Sequence, residues 1–219
     1  MLSRSGYRVE DRPVNLTVNQ AQLKSLGFLS VPVVVVAGRA FPGFPQRSLA
    51  ASLGIAGTNF SEAAIRRTLA GALDALDELY VVLASLPQAL WEEQAYPLNP
   101  DRAHTFGHFT WGIFRFLELT LSAPTLGGLA WEELQDSVEL ADWRSADSFK
   151  SFADVQHYAE PLLERGRAWE SSLTTEEMRQ QLATPWGRLE LHVLTGILAE
   201  HTDIKQTHLL KRLGRPAAL

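Results

Sequence analysis

Six histidines and no cysteine set the chemistry open to this chain. Two of the histidines, His201 and His208, stand in the stretch ILAEHTDIKQTHLLKRLG with Lys205 between them. At about 100° per residue on a helix, His208 returns to within about 20° of His201, and Lys205 stands about 40° away. The three side chains should share a face. A second helix-like stretch, AHTFGHFTWGIFRFLELTL, sets His104 and His108 one turn apart. Imidazoles four residues apart lie about 6 Å from each other and can grip one divalent ion. A third donor beside such a pair would complete a site that still leaves a coordination position open. Lysine breaks such a set, because an ammonium has no lone pair and repels a cation at contact distance. Lys205 can be no ligand there; it would act as a fixed charge beside Asp203, suited to a small-molecule or anion cleft. Each histidine also has a plainer reading. His104 and His108 would be a solvated or core-edge pair, His201 a hydrogen-bonded inward side chain and His208 a helix-end cation. His157 and His192 read as structural.

Composition narrows the classes. At 219 residues, 46% hydrophobic and 21% charged, the chain suits one globular domain with an appendage. A net charge of -5, with no basic cluster beyond Lys211, Arg212 and Arg215, argues against nucleic acid. The absence of cysteine excludes disulfides, thiolate ligands and cysteine nucleophiles. No apolar run reaches about 18 residues, and MLSRSGYRVEDRP lacks a signal-peptide core, so a cytoplasmic protein without a membrane partner is expected. There is no P-loop, dinucleotide glycine fingerprint or nucleophile elbow.

The elements that would carry these residues follow from periodicity and punctuation. Residues 14 to 54 read as strand, helix, strand, turn, helix. VNLTV is the first strand, and Asn19 caps QAQLKSLG. VPVVVVAG is an apolar run of strand length, the mark of a strand covered on both faces. FPGFPQ is a turn and QRSLAASLG a short helix. Four long helices follow. Ser61 caps the first, which Pro87 ends. The second runs from about Pro100 to Leu121, stopped by Pro124 and Gly127-Gly128. The third spans about Ser151 to Ser171, and the fourth runs from near Trp186 to Leu213, before Gly214 and Pro216. Asp74, Asp77 and Glu78 read as a solvated face, and Trp111, Phe114 and Phe116 as core. The expectation is a mainly α protein: a four-helix bundle over 58–219, preceded by a small α/β fragment over 1–57.

Two family resemblances attach to these residues. LKSLGFLSVPVVVVAGRAFPGFPQRSLAASLG resembles the second half of a glutaredoxin-type thioredoxin fold, in which a Val-Pro dipeptide opens the third strand. The resemblance implies a cis peptide before Pro32, in the loop where such domains hold thiol substrates. LSRSGYRVEDRPVNL matches only the end of the redox helix and the strand after it, and the first strand and the Cys-x-x-Cys motif have no counterpart. With no sulfur nucleophile, this fragment cannot exchange disulfides. An upstream start would restore the missing parts.

Residues 58 to 214 are similar to the DinB-like helical bundles, which include metal-dependent S-transferases and isomerases that use low-molecular-weight thiols. The family pattern has one metal-binding histidine on the second helix, and on the fourth an H-x-x-x-H pair followed by a glutamine. His104 matches the first position, with His108 one turn on, and His201 matches the first of the pair. Lys205 stands where the second histidine belongs, and His208 where the glutamine usually sits. The implied cofactor is a divalent ion, zinc or nickel, held weakly. Three functions follow: a small-molecule-binding relative with little or no catalysis, a metal-dependent thiol transferase or isomerase, and an interaction protein. An uncovered VPVVVV edge would favour the last as a homodimer.

Overall fold

In the computed structural model the described residues are 10–13, 16–25, 33–36, 39–42, 61–95, 105–129, 149–184 and 187–214. They belong to two compact units, Met1–Asn59 and Phe60–Leu219.

The first unit contains α1 (Thr17–Ser25), β1 (Val33–Val36) and β2 (Arg39–Pro42), the two strands paired antiparallel. The expected strand at VNLTV is corrected, because Thr17 and Val18 are helical. Its cause is local: Leu16 N–H reaches the Pro13 carbonyl, and Asn19 Nδ2 donates to the same oxygen at 2.8 Å. These bonds turn the chain into a helix one turn earlier than an Asn19 cap would, overriding a weak β preference. The strand expected to be covered on both faces is corrected too. Val35 is 48% exposed and its three neighbours are half-buried. FPGFPQ is not wholly a turn, since Phe41 and Pro42 belong to β2. Pro32 and QRSLAASLG lie outside the described residues.

The second unit contains α2 (Glu62–Ala84), a 3-10 turn (Gln88–Glu92), α3 (Phe106–Leu126), α4 (Phe152–Ser172), α5 (Thr175–Met178), β3 (Gln181–Thr184), β4 (Gly187–Glu190) and α6 (Leu191–Arg212). Ser61 caps α2 by accepting from Ala64 N–H. The inward stripe of α2 is Ile65, Leu69, Leu73, Leu76, Leu79 and Leu83, all buried. A reciprocal box of Ser151 and Asp154 starts α4. Arg66 of α2 donates to the carbonyls of Glu170 and Leu173, two of the acceptors that the end of α4 leaves over. The principal packing pairs set α2 against α6 and α4, and α3 against the same two helices.

Three expectations change here. First, α3 does not stop before Pro124 but runs to Leu126, where Gly127 at φ 75° closes it. Pro124 sits in the last turn, where one missing N–H interrupts little of the ladder. Second, α6 starts at Leu191 rather than near Trp186, because Gly187–Glu190 pairs with β3 as a hairpin that sets Leu182 opposite Leu189, both buried. The hairpin also receives the end of α3. Ala183 exchanges backbone bonds with Gly127 and Leu129, and a Cβ on Gly128 would stand 2.1 Å from the Ala183 oxygen. Third, Asp74 and Asp77 are not simply solvated, since Arg167 of α4 donates to both. Trp111, Phe114 and Phe116 are core, as expected.

Every residue of α3 from Phe106 to Phe114 is buried. Gly107 makes this possible, for its Cβ would lie 1.7 Å from the Phe149 carbonyl oxygen. The described residues are thus mainly helical, with two small antiparallel hairpins. Among them no helix is long and apolar enough to cross a membrane.

Candidate functional site

The face of α6 that bears His201 and Lys205 meets two aromatic rings of α3. The His201 ring lies 4.6 Å from the Phe116 ring, centroid to centroid, tilted by 42°. One turn on, Lys205 Nζ stands 4.8 Å from the centre of the Phe109 ring. Numbers rise along α3 as they fall along α6, so the two helices run antiparallel. The ammonium on the phenyl face is a cation–π contact of about 0.5–2 kcal/mol, depending on how dry it is.

His201 is half-buried by its outer surface, but its Nδ1 is fully enclosed and hydrogen-bonds to none of the described residues. Burial pushes the imidazole down to about 3, and the Lys205 charge adds to the effect. It is therefore neutral at physiological pH, and one ring nitrogen keeps its lone pair.

The other expected site residues are distributed unevenly. His108 is buried in α3, with its ring 5.4 Å from that of Trp111. One residue before Phe109, it projects about 100° around the helix from the side facing Lys205. His208 and Asp203 are exposed on α6, and Asp203 lies about 200° around from His201. His104 lies outside the described residues. His192 sets its Nδ1 3.1 Å from a Glu190 oxygen and 3.2 Å from the Met178 carbonyl, and His157 is exposed on α4.

A tightly held zinc or nickel ion needs several lone pairs converging on one point. Opposite His201 and Lys205, α3 presents phenyl rings instead, which supply none. Among the described residues no three His, Asp or Glu side chains are grouped as ligands. The described donor set does not fit a resident divalent ion.

One polar cluster was missed by reading the sequence. Glu118 of α3 accepts from Arg115 on the same helix and from the Tyr158 hydroxyl of α4. Burial works to raise the Glu118 carboxyl, but the bonds from Tyr158 and Arg115 outweigh it and hold it below the usual range. Burial first, and then the carboxylate, push the Tyr158 phenol well above its ordinary value. The signal for half of this was present, as Arg115 and Glu118 are spaced i, i+3. Nothing in the sequence tied Tyr158 to them.

Comparison of the chain with protein-family models, with curated proteins and with solved structures gives no match.

Proposed function

We propose that residues 60–219 form a DinB-like four-helix bundle in which an ancestral metal cleft survives in weakened form. In this reading the protein binds a small molecule and has little or no transferase activity. The bundle reading is supported by the packing of α2, α3, α4 and α6, in which each helix has two principal neighbours among the other three. The observation that carries the functional reading is the pair of contacts Phe116–His201 and Phe109–Lys205. Where the family pattern would gather imidazoles from two helices, one imidazole remains at His201, beside an ammonium and two phenyl rings.

The residues would then act as follows. His201 offers a neutral ring nitrogen in a dry setting, suited to a single hydrogen bond with a ligand. Lys205 adds a positive charge partly shielded from water, which favours an anionic group over a cation. The phenyl rings of Phe109 and Phe116 would cover an apolar part.

Equilibrium dialysis of the wild type against zinc or nickel, followed by elemental analysis, tests the reading. It predicts clearly less than one ion per chain at micromolar free metal, and S-transfer from a low-molecular-weight thiol near background. One tightly held ion per chain, lost in His201→Ala, would put the metal-dependent transferase reading in its place.

A further inference from the structure

β1 and β2 pair in the register Val33↔Pro42, Val34↔Phe41, Val35↔Ala40 and Val36↔Arg39. Two residues alone connect Val36 to Arg39, so Val36↔Arg39 is a hydrogen-bonded pair and, by alternation, so is Val34↔Phe41. Pro42, which has no N–H, falls opposite Val33 in a non-hydrogen-bonded position, where none is needed. The backbone N–H and C=O of Val33 and Val35 therefore point to the other edge of β1. Among the described residues no strand pairs with that edge, and Val35 is 48% exposed.

We infer that this edge of β1 pairs with β1 of a second copy of the chain, antiparallel about a two-fold axis through Val34. A two-fold contact needs a surface complementary to itself. Four successive valines meet that condition, because every cross-strand pair is valine on valine and no like charges are brought together. Centring on Val34 sets Val33 opposite Val35 of the partner subunit, and the reverse, so all the outward backbone groups of both residues are used. Natural edges are commonly protected by lysine, proline or a bulge, and β1 carries none of these. A ladder of three residue pairs, formed by Val33 to Val35 of each copy, buries well under the roughly 800 Å² per partner of a stable complex. The association is therefore reversible and grows with concentration. It stands independently of the function proposed for the helical unit.

The chain has no cysteine, so single cysteines report the register without interference. Across the axis the two Val34 positions form a non-hydrogen-bonded pair about 4.5 Å apart at Cα, within reach of a disulfide. The two Val36 positions are about 14 Å apart at 3.4 Å per residue and cannot be bridged. Under mild oxidation of the full chain, Val34→Cys should become mainly covalent dimer on a non-reducing gel, and Val36→Cys should give at least about tenfold less. The unmodified chain should show a mass by light scattering that rises towards the dimer with concentration, and Val35→Lys should hold it at the monomer. Equal cross-linking of the two cysteine variants would overturn the register. A wild-type mass fixed at the monomer up to about 0.5 mM, as when a segment of the same chain covers the edge, would overturn the pairing itself.

Discussion

His201 makes the chain's stability depend on acid in a direction that can be worked out. In the unfolded chain its imidazole titrates at about 6.5; in the folded chain it is pushed down to about 3. Between those values the unfolded state binds a proton that the folded state refuses. The contribution is fully present above pH 6.5 and is lost progressively as the pH falls towards 3. At pH 5 the unfolded chain has gained about 1.5 pH units of proton affinity, worth about 2 kcal/mol. The residue as a whole is only partly enclosed, and solvent screening lowers this to about 1–2 kcal/mol. His201→Leu keeps an apolar partner for Phe116 and removes the titration. Urea unfolding followed by tryptophan fluorescence at pH 7 and pH 5 would measure both chains. The wild type should lose about 1–2 kcal/mol more than the variant over that interval, and Lys205→Met should narrow the loss because one cause of the low value is gone. Equal losses in wild type and His201→Leu would refute the buried, neutral imidazole.

Other substitutions test the packing. Gly107→Ala must push a Cβ into the Phe149 carbonyl, and should cost about 1–3 kcal/mol or more of unfolding free energy in the same urea assay. Leu73→Ala empties a fully buried position on α2 and should cost about 2–5 kcal/mol. Arg167→Gln breaks pairs with Asp74 and Asp77 that are largely open to water, so its midpoint should move by less than about 1 kcal/mol.

How much of this was legible depends on whether a helix has a single apolar stripe. α2 and α4 do, and each starts at a serine cap, so their positions follow from spacing and punctuation. Periodicity alone extends α6 too far towards the N-terminus, because Leu189 and Leu191 fit a helix stripe loosely and a strand equally well. The hairpin bond pattern that decides between them involves β3, a distant partner in register rather than a local preference. The β1 run showed a strand but could not show what covers it, since four valines look the same at an edge or in a core.

At the site, helix arithmetic was enough to join His201 to Lys205. It could not supply the facing residues. The first half of α3 is buried all round, so its hydrophobic pattern carries no direction, and a helix of that kind cannot be oriented by periodicity. Its rotation is set by close contacts such as Gly107 with the Phe149 carbonyl. That rotation turns Phe109 towards Lys205.

The central claim is that Lys205 stands where a ligand has been lost, and a zinc titration of the wild type beside Lys205→His tests it most directly. Loss of outer-shell partners alone changes metal affinity about 10- to 100-fold, so restoring an imidazole one turn from His201 and removing the ammonium should tighten zinc by at least about tenfold. That gain should vanish when His201→Ala is added. Zinc bound as tightly by the wild type as by Lys205→His would contradict the account.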